Sequence, residues 1–230
     1  MTARAIVSPH DPSSVAKVRS TYEQAVEEVA HAFLSFPWTK RACYAEYLAQ
    51  TFYYVRYSTA LLATAAGRFD PITEAKYQKR FSRHVAEEQG HDLLALRDLE
   101  GLGDSIQNHP EMDETRMFWE PQFCKIERKH PSAMLGYILI LEGAAVKVGH
   151  QLHNTVVPLY GEATAFIRVH SEDDIEHIEK ALALLDGLDD AKLQHIIENT
   201  TQSARALCLM LAAVERKATS QAGTSHLRED

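Results

Sequence analysis

Apolar residues recur every three or four positions along most of this chain, and breakers are confined to a few places. That spacing predicts long amphipathic helices. The first covers about 14–36 and stops at Pro37. The second, TKRACYAEYLAQTFYYVRYSTALLATAAG, runs from about 39 to 67 with no breaker inside. A third opens with Asp70 as N-cap and Pro71 at the first helical position, and continues to about Glu100 before GLG. Residues 102–130 read as mixed, with a short helix around DETRMFWE. The fourth helix starts at Pro131 and runs to about Val157, before Pro158; the fifth covers about 163–185 and the sixth about 190–217. The end, TSQAGTSHLRED, is a polar tail. No stretch alternates as a strand would. The expectation is one all-α domain of six or seven helices over residues 1–230, with its core at about 15–217.

Composition narrows the class. At 230 residues, with 45% hydrophobic and 24% charged, the chain can bury a substantial core. A net charge of −8 and no basic run argue against nucleic acid. Cys43, Cys124 and Cys208 are scattered and odd in number, which suits a reducing compartment and no disulfide framework. The N-terminus lacks the apolar core of a signal peptide. The longest apolar runs, AMLGYILIL and ALCLMLAAV, are shorter than the roughly 20 residues a bilayer needs. A cytoplasmic protein that binds neither membrane nor nucleic acid is expected.

The twelve histidines change the picture. In FIRVHSEDDIEHIEKAL, His170, Asp174 and His177 fall on one helical stripe. In RHVAEEQGHDLLALRDLEGLG, Glu88 lies three before His91, and His84 lies four before Glu88. Glu142 is the first charge after nine apolar or small residues, Ala133 to Leu141. Each part has an ordinary reading. A Glu–x–x–His pair is common on solvated faces, SEDDIEHIEK is polar enough to be surface, and Glu142 could sit at the edge of an apolar stripe. Taken together they offer three imidazoles and three carboxylates from three long helices. Helix bundles build di-iron and di-manganese sites from such residues. A mixed nitrogen and oxygen set suits iron or manganese.

The pattern resembles the haem-oxygenase-like di-iron oxidases and oxygenases, which share the haem-oxygenase fold and bind no haem. The residues that carry the resemblance are His91, Glu142, and His170, Asp174 and His177. YLAQTFYYVRYSTALLA and HVAEEQGHDLLALRDLEGLG resemble the family's aromatic second helix and its first ligand-bearing helix, and the likeness covers about 15–215. It implies a haem-oxygenase-like bundle with two Fe2+ ions, manganese being an alternative, and O2 as co-substrate. Glu88 is the sixth implied ligand, with His84 and Glu87 as possible ligands or outer partners. It also implies a small substrate (an amino acid, an amino-acid derivative or a fatty acid), an external electron donor and a homodimer.

Tyr53, Tyr54, Arg56 and Tyr57 are candidates for the substrate pocket, Arg56 as a clamp for a carboxylate. Aromatic residues at helical spacing are more often core. His150 is a pocket candidate; His10, His109, His130, His195 and His226 are given no role. Three other readings stay open. One is a metal-independent enzyme of the same fold, thiaminase-like or quinone-cofactor-forming. Another is haem binding through His31. The last is a non-catalytic metal-binding helical protein.

Overall fold

The structure is a computed structural model. It describes the backbone of residues 11–225 and the side chains of residues 11–171 and 178–220. Among these residues the chain forms nine α-helices: α1 Pro12–Ser35, α2 Arg41–Val55, α3 Ser58–Arg68, α4 Ala75–Glu87, α5 His91–Gly101, α6 Asp113–Arg128, α7 Met134–Tyr160, α8 Ala165–Ala183 and α9 Asp190–Ser225. Short 3-10 turns lie at Ile106–Asn108, Pro131–Ala133 and Leu185–Gly187, and no strand occurs among the described residues.

The helices predicted from the sequence are present, and two of them are interrupted. The long second helix breaks at Arg56–Tyr57, where the Tyr57 N–H turns back to the Tyr54 carbonyl at 3.2 Å. No glycine or proline marks this break. Its anchor is distant in sequence: the Tyr57 ring stacks on Trp119 of α6, with centroids 3.6 Å apart. The third helix breaks at Gly90, whose φ of +89° is left-handed, a conformation that costs residues with a Cβ. Asp70 also caps something other than the helix expected of it. Its Oδ1 accepts from the N–H groups of Ile72 and Thr73, at 2.9 and 2.7 Å, closing a turn, and α4 starts only at Ala75. The short helix expected in 102–130 is a full one that contains Pro121, and the last helix reaches Ser225 through part of the expected tail.

α7 runs through the core, packed against α1, α8 and α9. With the turn before it, the segment Pro131–Tyr160 is long and apolar enough to cross a membrane by length and composition, yet most of it is buried inside this fold. Packing accounts for its apolar character. At Gly149, a Cβ would lie 2.7 Å from Cβ of Ser171, so only glycine allows α7 and α8 to approach this closely. The contact falls one residue after His170.

α8 is tied to α5 by a buried carboxylate. Asp98 accepts hydrogen bonds from the N–H groups of Ala165 and Phe166, at 3.1 and 2.8 Å. These are first-turn donors that the helix itself leaves unpaired. Gly90→Ala should cost about 1–2 kcal/mol through its forced left-handed backbone; denaturant unfolding would read this, and an unchanged midpoint would count against it.

Candidate metal centre

Glu88, His91 and His170 converge. One ligand atom of each lies within 4.8 Å of the others, and all three side chains are half-buried. Glu88 is the C-cap of α4 and His91 is the first residue of α5. The pair expected on one continuous helix is therefore carried by two, and the Gly90 turn brings Glu88 Oε2 to 3.6 Å from His91 Nδ1. His170 arrives from α8, its ring 4.9 Å from that of His91 and nearly perpendicular to it. Its Nδ1 lies 2.8 Å from the Phe166 carbonyl. A carbonyl only accepts, so Nδ1 carries the hydrogen and the lone pair falls on Nε2, the arrangement common in metal-binding histidines.

Glu142 enters from α7, 6% exposed. His84 lies between the two carboxylates, its Nε2 3.2 Å from Glu142 and 3.4 Å from Glu88. Burial alone would lower the His84 pKa, but the two carboxylates outweigh it and carry it up to about 9. Partial burial would raise the Glu88 carboxyl, yet the neighbouring His84 and His91 imidazoles hold it well below the usual range. Buried carboxylates need a compensating cation. Imidazoles and carboxylates gathered in a partly buried site suit iron or manganese. On the chemistry of its donors, the set fits a metal.

The remaining expected ligands are placed as follows. Asp174 and His177 lie one and two turns beyond His170 on α8, but their side chains fall outside the described residues. Glu87 pairs with Arg80 at 2.8 Å.

A cavity of about 100 Å³ adjoins the centre, with His84, Glu88, Glu142 and His170 in its wall. Of the pocket candidates, Tyr54 lines it. Its ring meets Phe118 edge-on at 5.2 Å, and burial pushes its hydroxyl up to about 12. Tyr53, Arg56, Tyr57 and His150 are not in the lining. Arg56 is exposed and lies over the Phe52 and Tyr57 rings, Tyr57 is taken up by Trp119, and His150 is exposed on α7. His31 is exposed on α1, which gives the haem reading no support.

Two features escaped the sequence. Tyr47 and Tyr137 also line the cavity; Tyr137 was concealed inside an apolar run. The other is a buried charge network. Glu46, 1% exposed, meets His109 Nδ1 at 2.8 Å, Lys217 Nζ at 2.8 Å and Gln50 Nε2 at 2.7 Å. Burial raises its carboxyl, and these partners more than reverse that. The network ties α2 to the segment before α6 and to α9. His109 and Lys217 lie 63 and 171 residues from Glu46, so no local spacing reveals them.

Fold and site define a haem-oxygenase-like helical protein with a candidate iron centre. The chain belongs to a family of iron-containing redox enzymes of the haem-oxygenase type, whose sequence model matches residues 45–208. Two solved structures are similar to it. One is a domain of unknown function with a haem oxygenase-like fold from Shewanella denitrificans OS217, with a TM-score of 0.74 and 18% identity, covering 89% of this chain and 91% of that one. The other is a TenA homologue from Pseudomonas syringae pv. tomato DC3000, with a TM-score of 0.74 and 12% identity, covering 88% and 93%. No curated protein matches the sequence.

The charge cluster predicts a pH profile for the chelator-treated protein. His84 is raised from 6.5 to about 9, so its stabilising contribution is complete below pH 6.5 and is lost as pH rises through 9. Glu88 is lowered from 4.5, so its contribution holds above that pH and is lost below it. Melting temperatures should therefore fall on the alkaline side in the wild type and fall less in His84→Gln. A wild-type curve that stays level from pH 6.5 to 9 would contradict the assigned pairing.

Proposed function

We propose that this protein is a non-haem di-iron oxidase or oxygenase that uses O2 to oxidise a small molecule. The observation that carries the reading is the convergence of Glu88, His91 and His170 beside a largely apolar cavity, with Glu142 reached through His84. Membership of an iron-containing redox family supports it.

In this reading Glu88, His91 and His170 hold one ion. Asp174, His177 and Glu142 would complete the ligand set for the pair of ions. When bound, the two ferrous ions supply electrons to O2, and an external donor restores them. The chain supplies position and shelter. The Phe166 carbonyl holds the His170 imidazole in one tautomer, and Asp98 fixes the helix that presents it. Apolar walls from α1, α3, α7, α8 and α9 keep water from the reacting atoms. Tyr54 and Tyr137 stay protonated because burial raises their hydroxyls, and so keep their hydrogens to donate.

The thiaminase-like alternative needs a nucleophilic cysteine at the cavity. Cys43 is buried elsewhere in the core, Cys124 is exposed, Cys208 is half-buried, and none of them lines the cavity.

Anaerobic titration with ferrous iron, followed by stopped-flow mixing with O2, tests the proposal. Uptake near two irons per chain and a transient visible band are expected. His170→Ala should lose stable iron binding while keeping its far-ultraviolet circular dichroism. A His170→Ala protein that still takes up two irons would sink the ligand assignment.

A further inference from the structure

The wall of the cavity carries information about what it binds, and the inference drawn from it rests on the reading of the metal centre above. Phe33, Leu62, Ile138, Val148, Ile167 and Leu207 bring apolar surface from five helices. Among the described residues neither lysine nor arginine lines the cavity, and the carboxylates that do, Glu88 and Glu142, are engaged with His84. Away from the metal ions themselves, a zwitterionic amino acid would bring two charges into this space, and no unengaged opposite charge among the described residues would replace the hydration each loses. Arg56, the clamp expected for a substrate carboxylate, is exposed and stacked on neighbouring rings.

Tyr137 is different. It lines the cavity from α7, is 1% exposed, and its ring packs on Phe118 at 4.8 Å. Its hydroxyl is buried with no hydrogen-bond partner among the described residues. Tyr137 shares the wall of the cavity with Glu88 of the metal centre and with Tyr54. A buried hydroxyl left without a bond is destabilising, and phenylalanine would fill the same space without that cost. The tyrosine oxygen is therefore best explained by something that enters the cavity.

We propose that the cavity binds an uncharged, largely apolar small molecule with a single hydrogen-bond acceptor, such as a ketone, alcohol or amide oxygen. Tyr137 donates to that acceptor and so sets which part of the molecule faces the metal centre. Tyr137 is a binding and specificity residue here, and its hydroxyl takes no part in electron transfer.

The test compares four probes of one shape on the full chain, before and after chelation: cyclohexanone, methylcyclohexane, cyclohexylammonium and cyclohexanecarboxylate. Binding is read by ligand-observed nuclear magnetic resonance. In the chelated protein cyclohexanone should bind more tightly than either charged probe. Tyr137→Phe should weaken cyclohexanone binding about fivefold, the factor one net hydrogen bond supplies, and leave methylcyclohexane unchanged. The ligand-free variant should also melt at a higher temperature, because an unmade bond has been removed.

Three results would overturn the proposal: a charged probe that binds the chelated protein best, a cyclohexanone affinity that Tyr137→Phe leaves unchanged, or no binding by any probe. Iron uptake is measured on the same samples. Lost uptake with ketone selectivity intact removes the iron reading and leaves this one standing. Intact uptake without selectivity removes this one alone.

Discussion

Burying carboxylates in an apolar interior is the constraint around which this site is built. Glu88 and Glu142 come from different helices and meet at one imidazole. Neither could be taken out of water alone without a large loss of hydration. The protein gathers the cationic and coordinating groups that make the burial tolerable, with His84 between the carboxylates and His91 and His170 beside them. The packing follows from this need. α7 passes close to α8, so that Glu142 and His170 line one cavity, and Gly149 against Ser171 permits that approach. α4 and α5 must break so that Glu88 and His91 face one another, and Gly90 makes the break.

Much of this was legible in the sequence, and the failures are instructive. Helical periodicity located the all-α fold and every major helix. Glu142 stood out because a charge after a long apolar run is conspicuous, and His170 because it shares a helical stripe with Asp174 and His177. The break at Gly90 was missed because a lone glycine in a strongly helical pattern is ambiguous, and its left-handed φ appears only in three dimensions. The break at Arg56–Tyr57 had no local signal at all, since its cause is Trp119, more than sixty residues away. Reading an unbroken second helix also placed Tyr53, Arg56 and Tyr57 beside Tyr54 as pocket candidates, although a turn at Arg56–Tyr57 and the stacking on Trp119 direct them elsewhere. Tyr137 was hidden for the opposite reason: among nine apolar or small residues its hydroxyl reads as incidental. His109 has no helical partner in sequence, yet it bonds a buried Glu46.

The similarity to a TenA homologue and to a domain of unknown function shows that this fold is kept at low sequence identity. What such a scaffold does is decided by the residues grafted onto it. Here those residues cluster on α4, α5, α7 and α8, while the Glu46 network braces the opposite end of α9 against α2. The division separates the candidate metal centre from a charge network that holds helices together.

Asp98 gives the ligand helix something like a reading frame. Its carboxylate takes the amides of Ala165 and Phe166 and no others, so the first turn of α8 has one position relative to α5. Every later residue of α8 is counted from that point. His170 stands opposite His91 because four residues separate it from Phe166. A sliding of one residue would break both bonds and bring a different side chain to the centre. The connection from Gly161 to Thr164 lies before the frame begins, so its length is unconstrained by the centre. Between Phe166 and His170, by contrast, a single inserted residue would change which side chains face the metal.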